Sequence, residues 1–324
     1  MVARTRALAA VALLWLPAIA CPATAQDYPS RNITMIVPFP PGGGNDTMAR
    51  IVASKLSEGL GQQVIVDNRP GANGVIAMRG AARSAPDGYT IVFANTSSTT
   101  INLALNPNAG YDTKKDFAPI GMFASTGIGI IANPSLPANN VSELIALARR
   151  EPGKLSIGTS PPGSGSHLSA EMFKARTGIQ VTYVPYKGAA ALNNDLIGNH
   201  IPAVFSVLPA SLGAIRAGKL KVLAMTGTTR ISLLPDVPTV SETIPGFEAV
   251  LRYGLLAPAG TPAPVIARLN RELRTLAGSD AVKARIVEEA GSALQSTPEE
   301  YAAEIAREDA LWGPLIRSLN LKAE

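Results

Sequence analysis

The sequence predicts an α/β chain of two similar lobes, with the second lobe inserted into the first. Three observations predict it. Short apolar runs alternate with helical stretches from Ile33 to Phe93, and the alternation restarts after Pro134. Loops rich in glycine or serine follow the apolar runs in both halves, where open α/β sheets take ligands. Two long apolar stretches, Phe117 to Ala132 and Leu251 to Ala257, are placed to carry the chain across and back.

The first 25 residues stand outside that fold. Arg4 and Arg6 precede an apolar run from Ala7 to Ala20, and Ala23-Thr24-Ala25 makes a small-x-small cleavage site before Gln26. This order is that of a secretory signal peptide, and the run is shorter than the ~20 residues that a membrane span needs. Cys21, the only cysteine, offers lipid anchoring as an alternative, but Ala18-Ile19-Ala20 lacks the leucine usual before a lipoprotein cysteine. Soluble export to the periplasm is the preferred reading. Cleavage at Ala25 leaves a chain without disulfides, so an apolar core must hold it, and 46% apolar residues supply one. Losing Arg4 and Arg6 lowers the net charge from +5 to +3. No basic cluster interleaves with aromatics, so nucleic acid is not an expected partner.

Ile33 to Val37 reads as a strand, and Pro38-Phe39-Pro40-Pro41-Gly42-Gly43-Gly44-Asn45-Asp46 as the loop that follows it. A helix comes next, with Met48, Ile51, Val52 and Leu56 on one face, Asp46 as its N-cap and Gly59 and Gly61 to stop it. Unpaired N–H groups and the helix dipole at such a start favour an anion. Neither Gly-x-x-x-x-Gly-Lys-Ser/Thr nor Gly-x-Gly-x-x-Gly is present, so the loop suits a small anion, not a nucleotide. Val64 to Val66 is a strand, Asn68-Arg69-Pro70-Gly71 a turn, Asn73 to Ser84 a small-residue helix and Tyr89 to Phe93 a strand. Neighbouring strands are expected to be mainly parallel. In the second half, Val141 to Arg150 is helical, Leu155 to Thr159 a strand and His167 to Thr177 a helix after a Gly/Ser loop. Val181 to Tyr186, Ala203 to Leu208 and Leu220 to Thr226 are strands, and a helix opens at Lys187-Gly188-Ala189. The tail is helical over Pro262 to Leu276, Ser279 to Ala290 and Pro298 to about Ser318, with prolines where a first turn tolerates them. The expected division is a leader over 1–25, a first lobe over 26–124 and 250–324, and a second over 125–249.

Enzyme chemistry finds little support. Ser164 and His167 lie close, but no Gly-x-Ser-x-Gly elbow surrounds the serine. His167 reads as a helix-start residue bonded to nearby backbone. His200 sits in a solvated turn, and two distant histidines do not make a zinc site. Asp195 reads as orienting a neighbouring loop, and Arg69 as clamping its own. No metal and no cofactor are expected.

Several stretches together carry a resemblance: Val37-Pro38-Phe39-Pro40-Pro41-Gly42-Gly43 to Asp46, Asn68-Arg69-Pro70-Gly71-Ala72, Pro86-Asp87-Gly88-Tyr89-Thr90, Gly163-Ser164-x-x-His167-Leu168, Val184-Pro185-Tyr186-Lys187-Gly188 and Gly254 to Pro262. They span nearly the whole exported chain, in order. The chain resembles the Bug family of periplasmic solute-binding proteins, the TctC-like components of tripartite tricarboxylate transporters. The resemblance implies a two-lobed Venus-flytrap (periplasmic-binding-protein) fold with two crossover strands. It implies a small mono- or dicarboxylate held between the lobes by backbone N–H groups, hydroxyls and ordered water, and membrane transporter subunits as partners. By that resemblance Phe39, Gly43 and Asp46 face the cleft from the first lobe, and Ser164, Tyr186, Lys187, Gly188 and Ala189 from the second. Pro161 and Pro162 depart from the family pattern and remove two N–H donors. A monomeric binder, not an enzyme, is expected; a ligand-loaded sensory adaptor shares every one of these features, and a serine hydrolase built on Ser164 is the remaining alternative. Mass spectrometry of exported protein is expected to give Gln26 as the mature N-terminus; an acylated Cys21 terminus overturns soluble export.

Overall fold

The structure is a computed structural model and describes residues 28–42 and 44–321. The leader with Cys21, and Gly43 of the first loop, lie outside the described residues.

Two sheets form two layers of core. The chain begins with β1 (Ile33–Val37), α1 (Gly44–Leu60), β2 (Val64–Asn68), α2 (Val75–Ala82) and β3 (Thr90–Asn95). β1 lies between β2 and β3 and is parallel to both. Alternation along β1 sends Ile33, Met35 and Val37 under Met48, Val52 and Leu56 of α1, and Ile36 towards Val75 and Met78 of α2. Both faces are thus covered, as a parallel sheet requires. Gly61, at φ +69°, ends α1 in the left-handed conformation that a side chain disfavours.

After β3 come α3 (Asn102–Leu105), α4 (Thr113–Asp116) and the long β4 (Phe117–Gly127), which passes through Ile128 into β5 (Gly129–Ala132). The second sheet is built from α5 (Val141–Arg150), β6 (Ser156–Thr159), α6 (Gly165–Thr177), β7 (Thr182–Pro185), α7 (Ala189–Ile197), β8 (Ala203–Ser206), α8 (Leu212–Arg216) and β9 (Lys221–Met225). The chain returns through β10 (Val250–Pro258), α9 (Ala263–Gly278), α10 (Asp280–Glu288), β11 (Gly291–Ala293) and α11 (Pro298–Ser318). The strand orders are β11-β4-β10-β3-β1-β2 and β7-β6-β8-β5-β9. Parallel pairing is confined to the strands joined by helices, and β4, β5, β10 and β11 pair antiparallel. The expectation of mainly parallel neighbours, read over the first third of the chain, holds for β1, β2 and β3. The crossover strands lie in the sheets themselves and run against their neighbours. No described helix is long and apolar enough to cross a membrane.

One residue ties the two crossovers together. Thr226, fully buried after β9, donates its N–H to Ile128 O at 2.9 Å and accepts from Ile128 N through Oγ1 at 2.7 Å. The same hydroxyl donates to Ala249 O at 2.6 Å, and Ala249 N donates to Thr226 O at 3.0 Å. The backbones come so close that a Cβ on Gly127 would stand 2.9 Å from Gly227 N. α11 makes a third link. Its Tyr301 and Ile305 pack with Phe117 and Leu256, while Trp312 and Ile316 pack with Phe173, Phe205 and Phe247 of the second core.

A charged cluster sits beside the junction. Arg252 of β10 pairs with Glu248, with Glu304 at 3.0 Å and with Glu308 at 3.5 Å. Arg307 pairs with Glu248 and Glu304 at 3.1 and 2.7 Å. Glu308 is 2% exposed and accepts a hydrogen bond from Thr96 Oγ1 at 2.7 Å. Three carboxylates face two guanidiniums, and burial, partly offset by Thr96 and Arg252, pushes Glu308 up to about 7.

Two outcomes follow from these contacts. Thr226→Val leaves Ile128 N–H and Ala249 C=O buried without partners, at ~1–3 kcal/mol each. Urea denaturation is expected to show a loss of about 2–6 kcal/mol on that basis, and a smaller loss for Thr226→Ser, which keeps the hydroxyl; a Thr226→Val variant that loses less than Thr226→Ser overturns the role of the hydroxyl. For Glu308 the folded value lies above the ordinary 4.5, so the native state holds the extra proton. Its contribution is full below about pH 4.5 and is lost as pH rises through about 7, a change of roughly 3 kcal/mol at most. Glu308→Gln is expected to flatten the fall in Tm between pH 5 and 7.5; an unchanged slope places the titration elsewhere.

Candidate functional site

The strand C-termini of the first sheet and the crossovers enclose a cavity of about 230 Å³. Phe39, Gly44, Asn45 and Met48 line it from the first loop and α1, Asn95 and Ser97 from the end of β3, and Thr126, Leu251 and Tyr253 from the crossovers. Val207 and Pro209 close it from the second sheet, and Glu289 from the end of α10. Larger hollows lie elsewhere. One of about 510 Å³ is a surface groove along α1 and β2, and one of about 330 Å³ lies by Arg252, Gly227 and Ser292. Only the 230 Å³ cavity joins the first glycine loop to residues of the second sheet's loops.

The first loop is shaped by its own carboxylate. Asp46 is 4% exposed and accepts from Gly42 N, Arg50 Nε and Asn68 Nδ2, each at 2.9 Å. Burial pushes this carboxyl up, but the hydrogen bonds from Arg50, Gly42 and Asn68 outweigh burial and hold it below the usual carboxylate value. Asn68 Nδ2 also donates to Phe39 O at 3.1 Å, which fixes the strand end that presents the Phe39 ring. Asp46 lies in the first turn of α1, within the helix and not ahead of it as an N-cap. Gly74, at φ +91°, leaves room for Pro38, which a Cβ there would strike at 2.7 Å.

The end of β3 is a polar run kept dry. Asn95, Thr96, Ser98, Thr99 and Thr100 are all buried. Ser97–Ile101 forms a π-helical turn, an irregularity often found at functional sites. Its polar groups find partners: Tyr111 Oη donates to Ser98 O at 2.6 Å and Thr113 Oγ1 to Thr99 O at 2.8 Å. Asn95 Nδ2 donates to Asn45 Oδ1 at 3.0 Å and joins the β3 end to the α1 start. Ser97 is left facing the cavity.

The loops of the second sheet lie outside the cavity lining, except for Val207 and Pro209. Ser164 caps α6, its Oγ accepting from His167 N at 3.2 Å. Gly165 lets Leu251 approach, since a Cβ there would stand 2.8 Å from it. The buried His167 ring accepts from Gly163 N through Nδ1 at 3.3 Å and turns Nε2 towards Glu171 at 3.8 Å. Burial and Lys174 push His167 down, so its ring is neutral at pH 7. The ring faces Gly163 and Glu171, not the Ser164 hydroxyl, and so forms no nucleophile–base pair with it. Tyr186 Oη donates to Asp195 Oδ2 at 2.8 Å; burial and that carboxylate push the phenol up to about 12. Lys187, Gly188 and Ala189 are exposed where α7 begins, and no side chain caps its first N–H groups. No group of three or more metal-ligating side chains occurs among the described residues.

Of the eight residues predicted from the sequence, Phe39 lines the cavity and Asp46 braces the loop beneath it. Gly43 lies outside the described residues. Ser164, Tyr186, Lys187, Gly188 and Ala189 sit at the starts of α6 and α7, outside the cavity lining. Sequence reasoning passed over Asn45, Asn95, Ser97, Thr126, Val207, Tyr253 and Glu289. The run Asn95-Thr96-Ser97-Ser98-Thr99-Thr100 directly after a strand was a readable signal for part of them; nothing local marked Glu289.

Residues 48–321 match the model of the TctC family, described as the tripartite tricarboxylate transporter family receptor. Protein BugT of Bordetella pertussis is 36% identical over 321 residues, which cover 98% of each chain. An R. palustris protein solved with adipate superposes with a TM-score of 0.78 at 34% identity, over 91% of this chain and 99% of that one. MatC from Rhodopseudomonas palustris with bound malate superposes with a TM-score of 0.73 at 28% identity, over 89% and 100% of the two chains. The match runs through both sheets and both crossovers, and the chain therefore belongs to the Bug/TctC family of solute-binding receptors, which bind and do not catalyse.

Proposed function

We propose that this protein captures a small carboxylate-bearing ligand between its two lobes in the periplasm and delivers it to a tripartite tricarboxylate transporter. The observation that carries the reading is the cavity itself. It lies at the N-terminus of α1, between the first-sheet loops and Val207 and Pro209 of the second sheet. Its donors are backbone N–H groups, amides, a serine and a tyrosine, which suit a carboxylate without an arginine fork. The adipate and malate in the two related structures are acids of the expected size class.

The lobes of this reading are 26–124 with 250–324, and 125–249. Closure about the Thr226 junction brings Ser164, Tyr186, Lys187, Gly188 and Ala189 towards the ligand, opposite Phe39 and the Gly43 loop. A ligand that touches both lobes selects the closed form by its extra contacts there. The partners are a small organic acid and the membrane subunits of the transporter, and the receptor works as a monomer.

Thermal-shift screening of adipate, malate and other small mono- and dicarboxylates tests the capture step. A ligand at a hundred times its Kd is expected to add ~2.7 kcal/mol to apparent stability. The same ligand is expected to reduce the radius of gyration in X-ray scattering. A panel in which no acid raises Tm overturns carboxylate capture; a shift in Tm with an unchanged scattering curve overturns closure.

A further inference from the structure

The cavity carries an acid of its own. Glu289 is the only acidic or basic side chain in its lining. Its Oε2 lies 3.8 Å from where a Cβ would stand on Gly44, the first residue of α1. A side-chain carboxylate therefore stands beside the first residue of α1. Glu289 is half-buried, and among the described residues no lysine, arginine or histidine lies within ion-pair distance of it. Its neighbour Glu288 is paired with Arg285 at 2.5 Å, which leaves that guanidinium engaged on the outer face. Glu289 also acts on the cavity wall: burial and then its charge push the Tyr253 phenol up, so that hydroxyl stays protonated.

A plain dianion brought into this cavity adds like charge beside Glu289. A ligand that also carries a cation satisfies Glu289 and leaves its own carboxylate for the neutral donors around Asn45, Asn95 and Ser97. We propose that Glu289 is a specificity-determining residue that selects carboxylates bearing an ammonium group over the corresponding unsubstituted acids. The inference rests on the reading of this cavity as the ligand site. Glu289 holds the ammonium, the α1 start and the adjacent amides hold a carboxylate, and Phe39, Leu251 and Val207 pack the carbon chain.

Titration calorimetry on matched pairs tests it: aspartate against succinate, glutamate against glutarate, and 2-aminoadipate against adipate. In at least one pair the amino acid is expected to bind roughly ten- to a hundredfold more tightly, the worth of a hydrogen bond to a charged group. Glu289→Gln is expected to remove that preference by weakening the amino acid, while Glu288→Gln, on the exposed face, leaves it intact. Unsubstituted acids that bind as tightly as their amino partners, or a preference that survives Glu289→Gln, overturn the role of Glu289 and leave carboxylate capture standing. Failure of all six acids to bind overturns both readings. Circular dichroism and Tm of Glu289→Gln separate a lost fold from a lost contact, and an affinity loss common to both members of a pair counts against selection.

Discussion

The two crossovers of this protein meet at the hydroxyl of Thr226. Two crossover strands and the end of β9 meet there with four hydrogen bonds to one buried residue. A backbone pair alone would fix neighbouring strands, but strands that leave one sheet for another have no continuous ladder. Their N–H and C=O groups at the gap still need partners, because a buried unpaired group costs more than a made bond returns. A threonine hydroxyl both gives and takes a hydrogen bond, so it closes the gap for Ile128 and Ala249 at once. Gly127 beside it lets the chains touch without side chains between them.

The same economy shapes the 230 Å³ cavity. The one carboxylate that the first loop supplies, Asp46, is consumed in holding the loop. Charge in the cavity then comes from α10, which is distant in sequence and reaches the α1 start through Glu289. Neutral amides and hydroxyls and one acid are therefore brought together from separate parts of the chain. Arg252, the nearest strong cation on the crossovers, is spent on Glu248, Glu304 and Glu308 and is absent from the lining of the 230 Å³ cavity.

What the sequence made legible was local. The 3.6-residue face of α1, the stop at Gly61 and the first-turn Pro298 of α11 are written within a few residues each. The two crossovers could be read as long apolar stretches, but not their antiparallel partners, since pairing depends on where the other strands lie. The first loop could be read as an anion loop. The burial of Asp46 could not, because it takes Asn68 from β2 and Arg50 from one turn further along α1 to absorb the carboxylate. Glu289 had no local signature at all: an acid at the end of an amphipathic helix is ordinary until the fold sets it against Gly44.

The closure proposed about Thr226 has to be reconciled with α11. This helix is anchored in the first core by Tyr301 and Ile305 and in the second by Trp312 and Ile316, so it spans the junction that closure would turn. An unbroken helix resists bending. α11 carries Pro314 in its interior, which removes one i→i−4 hydrogen bond and crowds the carbonyl four residues back. Gly313 beside it has no side chain to lock against the neighbouring turn. The compliant step therefore falls within the segment that contacts the second core, while the turns bearing Glu304, Arg307 and Glu308 stay fastened to Arg252 and Thr96. Closure as proposed would then bend the last turns of α11 and leave Glu304 and Glu308 on Arg252, from which these buried carboxylates could not be pulled at comparable cost.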